Sequence, residues 1–127
     1  MSRELPAAVR HFVYSCIGSL EQLEILIRLK DIVGGWTVRE TSAAVSGSSE
    51  STRVSLEALV ARGLLRVRVA DPSIYWYEPR SAELVKYVDA LVTHYRVDRA
   101  AVISLITQAQ GPLRNFADAF KLREPKE

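Results

Sequence analysis

Asp89, His94 and Asp98 are the residues of this 127-residue chain whose types come nearest to a metal-ligand set. Their spacings of five and four do not stack all three on one helix face, so they read as solvated surface. His11 and His94 lie far apart, with no cysteine or carboxylate cluster at ligand spacing. Cys16 falls on an apolar helical stripe and reads as a small core residue, because a reactive thiol needs exposure and a lowered pKa. Gly34-Gly35 lacks the lysine of a phosphate-cradling loop. No nucleophile elbow or other catalytic pattern occurs. The expectation is a protein that is not an enzyme and uses no metal and no cofactor.

Composition sets the frame for these residues. Apolar residues make up 48% and charged residues 25%, an ordinary soluble balance. A chain of this length buries roughly two-thirds of its unfolded surface, so one domain over 1–127 is expected. The single cysteine forms no internal disulfide and fits a reducing compartment. No secretory leader pattern opens the chain, and no 18-residue apolar run spans a membrane. The cytoplasm is the expected location. Seventeen basic residues meet 15 acidic ones, a net charge of +2. Any basic surface must therefore be concentrated by folding.

The elements follow from periodicity. Val9, Phe12, Val13, Cys16 and Ile17 form a helical stripe over residues 6–17. Ser19 to Gln22 has the form of a capping box, opening a helix over 20–33 with a wide apolar arc. That width predicts a central helix buried from more than one side. Gly34-Gly35 stops it. Trp36-Thr37 reads as a short strand or an extended connection, with Thr37 capping a helix over 38–45. The inward positions of that helix are Val38, Ala44 and Val45. Ser46 to Ser49 is a turn cluster. A further helix over 49–62 buries Thr52, Leu56, Leu59 and Val60 and ends at Gly63.

Residues 64–69 and 74–78 alternate as strands, joined by a type I turn at Asp71-Pro72. Leu65, Val67 and Val69 share one face, and Leu64, Arg66 and Arg68 the other. Tyr75 and Tyr77 read as strand formers that pack the hairpin on a helix, or as stacking residues; Trp76, opposite, reads as core. Ser81 caps a helix running to about residue 110, either continuous or broken at Asp98. Gly111-Pro112 opens a last helical stretch. The chain thus divides into N-terminal helices (5–35), a central unit (36–80) and C-terminal helices (81–122). The fold class is mainly α with a small β-hairpin.

A leucine-patterned helix closed by glycine and leading straight into a hairpin is the build of a winged helix. The residues from Val38 to Val45, the turn Ser46–Ser49, the helix Thr52–Gly63 and the hairpin Leu64–Glu78 resemble winged helix-turn-helix transcription regulators, especially MarR-like dimeric types. The resemblance covers the middle third of the chain and implies a DNA-binding regulator of double-stranded DNA. It implies that the helix at 49–62 enters the major groove, exposing Ser49, Glu50, Arg53, Val54 and Glu57. Ser48, Ser49 and Ser51 would hold a phosphate at the helix N-terminus. Arg53 would take a guanine edge or a phosphate, unless it is a solvated arginine. Arg66, Arg68 and Arg80 would supply charge from the wing, unless Arg66 and Arg68 only guard a strand edge. Two acids meet two bases between Glu50 and Arg62, so the reading helix is neutral. A protein-interaction module without DNA binding is the alternative that this neutrality supports.

The terminal helices carry more apolar surface than one winged unit usually needs. Val9, Phe12 and Val13, the seam Leu84, Val88, Leu91, Tyr95, Val102 and Leu105, and the face Leu113, Phe116 and Phe120 are candidates for a homodimer interface. Packing within one chain is the other way to cover them.

Overall fold

A computed structural model describes residues 6–108. Helix α1 (Ala7–Cys16) is followed by α2 (Leu20–Lys30), α3 (Val38–Val45) and α4 (Ser49–Ala61). Strands β1 (Leu65–Arg68) and β2 (Ile74–Tyr77) then form an antiparallel hairpin. Helix α5 (Ala82–Val97) and a helical stretch over 99–108, α6, complete the described part. The fold is a winged helix-turn-helix with flanking helices, mainly α with one hairpin.

Side-chain caps set most of the helix starts. Ser19, Ser48 and Ser81 accept from the backbone N–H three residues on, at 3.0–3.1 Å. Gln22 reaches back one residue further than a capping box requires, taking the Gly18 N–H at 2.7 Å. The full box belongs to α3, where Thr37 Oγ1 accepts from Glu40 N and Glu40 Oε1 accepts from Thr37 N. Each such cap contributes about 1 kcal/mol. Asp98 decides between one helix and two after residue 81. Its backbone leaves helical angles (φ −143°, ψ 79°), and its Oδ1 accepts from Ala101 N at 3.2 Å, capping α6.

Helix α2 is the centre. Leu23, Ile25 and Leu26 are fully buried and Leu29 nearly so, as its wide arc predicts. Leu56 and Leu59 of α4, Leu64, Leu65 and Tyr75 of the wing, and Val9, Phe12 and Val13 of α1 close around it. In α3, Val38 and Val45 pack against the core partly buried, and Thr41 is the fully buried residue, its hydroxyl donating to Thr37 O at 2.8 Å. Val60 is only partly buried, and Ser55 takes an inward place instead.

Among the described residues, the apolar surface of the terminal helices is covered within one chain. Val9, Phe12, Val13, Val88, Leu91, Val102 and Leu105 all lie in the core, with Leu84 and Tyr95 packed against it. Helix α1 lies on α5, with the Phe12 and Tyr87 rings 5.6 Å apart. These residues therefore form no free apolar seam. Leu113, Phe116 and Phe120 lie outside the described residues.

The hairpin pairs Leu65 with Tyr77, Arg66 with Trp76, Val67 with Tyr75 and Arg68 with Ile74. It is shorter than its alternation suggests, and the Asp71–Pro72 peptide in its loop is cis. Ser73 Oγ clasps that loop, accepting from Ala70 N and donating to Ala70 O. Tyr75 faces inward and is buried. Trp76 is not core. Strand alternation puts it beside Arg66 on the outer face, where its Nε1 donates to Glu78 Oε1 at 2.8 Å. Trp36 adds a one-residue bridge to β2, exchanging two 2.8 Å hydrogen bonds with Tyr75. Gly35 allows this approach. Its φ is +80°, and a Cβ there would stand 2.3 Å from Tyr75 O.

Candidate nucleic-acid interface

Helix α4 leaves one long face open beside the wing. Thr52, Ser55, Leu56 and Leu59 turn inward, while Ser49, Glu50, Arg53, Val54 and Glu57 are exposed. The helix starts sharply. Ser46 adopts the left-handed conformation (φ 59°, ψ 37°), and Ser42 Oγ donates to Gly47 O at 2.5 Å, so α3 ends and α4 begins within three residues.

The three serines expected at this end take different parts. Ser48 caps α4 through its own hydroxyl. Ser49 is exposed and borders a depression of about 360 Å³ with Thr37, Val38, Arg39, Pro72 and Ser73. Ser51 turns back instead, donating to Glu21 Oε1 at 2.6 Å, where Ser55 also donates at 2.9 Å. That carboxylate fastens α4 to α2.

Arg53 is exposed and paired with Glu50 one turn earlier, NH1 to Oε1 at 3.3 Å. An exposed pair of this kind is worth roughly 0.3–0.5 kcal/mol, so it aims the guanidinium without consuming it. Burial raises the Tyr75 phenol above its usual pKa; Glu57 adds to the shift and Arg53 opposes it, which places both charges beside the wing. Arg66 and Arg68 are exposed on the outer face of β1. Arg39, at the start of α3, shares the depression with Ser49 and the wing loop. It went unnoticed in sequence because the patterning of α3 marks only inward positions.

Arg80 lies elsewhere. Its backbone N–H donates to Gly63 O at 2.9 Å, and its side chain lies where a Gly63 Cβ would project. Gly63 follows the C-terminus of α4, which is about 18 Å from the end that holds Ser48 and Ser49. Arg66 and Arg80 share a depression of about 310 Å³ at the wing base. Arg39 and Ser49 thus share one depression with the wing loop, Arg53 lies on the open face of α4, Arg66 and Arg68 lie on the outer face of β1, and Arg80 is set apart from α4's N-terminus. Arg62 also points away from this face, donating to Ser15 O on α1.

The other candidate chemistry is quiet. Burial pushes the Cys16 thiol up, only partly offset by Arg62 and Arg80. Among the described residues no three His, Cys, Asp or Glu side chains gather where a metal ion would sit. None of their helices is long and apolar enough to cross a membrane.

No protein-family model matches the chain, and no curated protein matches it by sequence. Solved structures do. A mutant of S. aureus MepR is 14% identical with a TM-score of 0.55, covering 94% of this chain and 88% of that one. A second MepR mutant, bound to an oligodeoxyribonucleotide, gives the same values. A probable transcriptional regulator from Pseudomonas aeruginosa is 18% identical with a TM-score of 0.51, covering 89% of this chain and 88% of that one. At such identities the likeness is one of fold, and it extends well beyond the central unit: this chain shares the winged helix-turn-helix architecture of those structures, flanking helices included.

Proposed function

We propose that this protein is a DNA-binding transcriptional regulator that reads the major groove with α4. The observation that carries the reading is the open face of α4, with Ser49 and Arg53, beside a depression where Ser49 meets Arg39 of α3 and the wing loop. A structure of the same fold is bound to an oligodeoxyribonucleotide, which supports the assignment. Arg53 takes a guanine edge, and Arg39, Ser49 and Arg68 hold phosphates on either side. Arg66 adds charge at the wing base. The function is binding, not catalysis, and its setting is the cytoplasm.

The protein acts as a homodimer, which presents two winged units to two half-sites. Because α1 and α5 are occupied with each other, the apolar spacing of Leu113, Phe116 and Phe120 is the remaining sequence signal for the contact.

Fluorescence anisotropy on duplexes enriched from a random pool, at two salt concentrations, tests this reading. Affinity falls with salt by about 0.9 log units per neutralised phosphate and per log unit of salt. Arg68→Ala weakens every duplex alike and lowers that slope by about one contact's share. Arg53→Ala costs about 1–3 kcal/mol on the preferred duplex and relaxes the preference. Arg80→Ala leaves the preference intact. Binding that is independent of salt and of Arg53 and Arg68 would overturn the reading and favour a protein-interaction module.

A further inference from the structure

The open face of α4 holds one residue that neither charge nor core packing explains. Glu50, Arg53, Val54 and Glu57 follow one another at helical spacing, and Val54 is the hydrocarbon among three charges. It is 56% exposed. The inward turn of the helix is taken by Thr52, Ser55 and Leu56, so Val54 has no place in the core. A β-branched residue at an exposed helix position is slightly unfavourable for the helix itself, so neither solubility nor propensity favours it there.

We propose that Val54 reads the 5-methyl group of a thymine next to the guanine taken by Arg53; this rests on the DNA-binding reading above. The major-groove edge of DNA presents one apolar feature, the thymine methyl, and apolar side chains recognise it by contact. Val54 follows Arg53 by one residue, a rise of about 1.5 Å and a turn of about 100°, so the two side chains stand on adjoining parts of the same exposed face. Arg53 is steadied by Glu50 at 3.3 Å and keeps most of its five donors for a guanine. The result is a short composite reader, with one polar and one apolar contact on adjacent steps. It needs no excess of positive charge on α4, which accords with the helix's two acids, Glu50 and Glu57, against one base, Arg53.

Deoxyuridine substitution tests this directly, because it removes the methyl group and leaves base pairing unchanged. Duplexes are selected from a random pool with the full chain, and each thymine in the selected site is replaced in turn by deoxyuridine. At one thymine per half-site, beside a guanine, the wild-type protein loses about fourfold in affinity, the worth of one buried methyl-sized group. Val54→Ala binds thymine and uracil duplexes equally, while its melting temperature, read by circular dichroism, stays near wild type. If no thymine replacement weakens the wild-type protein on a duplex it otherwise selects, the proposal is overturned with DNA binding left standing. An equal loss in Val54→Ala moves the methyl contact to another residue and overturns it too. Failure to enrich any duplex at low salt removes the DNA reading itself, and this inference with it.

Discussion

Glu21 Oε1 accepts a hydrogen bond from Ser51 Oγ at 2.6 Å, joining residues thirty positions apart. The same oxygen takes Ser55 Oγ at 2.9 Å. One carboxylate on α2 thereby fixes the rotation of α4 about its axis, and with it the set of side chains that α4 presents outward. Glu21→Ala leaves the buried Ser55 hydroxyl without its acceptor, and an unmet buried polar group costs roughly 1–3 kcal/mol. Glu21→Gln keeps the accepting oxygen and recovers most of that loss. Thermal melts of the two variants check the contrast. Equal destabilisation would show that the charge, not the acceptor, holds the helix.

Gly34 and Gly35 both have positive φ, at +90° and +80°, yet their surroundings differ. A Cβ at Gly34 meets nothing within 4 Å, whereas one at Gly35 would stand 2.3 Å from Tyr75 O. Gly34→Ala therefore carries only the left-handed penalty of about 1–2 kcal/mol. Gly35→Ala carries the same penalty and also breaks the Trp36–Tyr75 bridge. Urea denaturation of the pair should rank Gly35→Ala clearly the less stable. A tie would mean that the bridge contributes nothing.

Tyr77 supplies a pH prediction. Burial, helped by Asp89, pushes its phenol up from 10.0 to about 12. The unfolded chain releases this proton first, so the contribution to stability is complete below about pH 10 and is lost as pH rises toward 12. Tyr77→Phe flattens that alkaline limb. Near neutrality it is neutral or stabilising by under ~1 kcal/mol, because Tyr77 Oη is buried and has no partner among the described residues. Stability curves of both proteins from pH 8 to 12, measured with denaturant, decide the matter. A parallel fall in both would sink it.

How much of this was legible in sequence depends on the reach of each interaction. Ser19, Thr37, Ser81 and Gly63 act where they were expected, because a cap or a helix stop involves residues only a few positions away. The wide arc of α2 announced a central helix, since its burial on several sides is written in its own residues. The choice between one helix and two turned on a hydrogen bond from Ala101 to Asp98, which spacing alone leaves open. Contacts between distant segments stayed hidden. Nothing near Ser51 indicates that Glu21 will claim it, and nothing near Arg80 indicates that it will fold over Gly63. Trp76 misled because its size favours burial, while strand alternation gave the inner face to Tyr75. The apolar terminal stripes showed how much surface had to be covered, but not that α1 and α5 would cover each other.

The two hydrogen bonds between Trp36 and Tyr75 moor the ribbon to the peptide leaving α2, a few residues past the Lys30–Asp89 and Asp31–Arg96 ion pairs that tie α2 to α5. A ribbon anchored there is no loose flap. The wing and the flanking helices thus share one footing, on either side of Gly34 and Gly35.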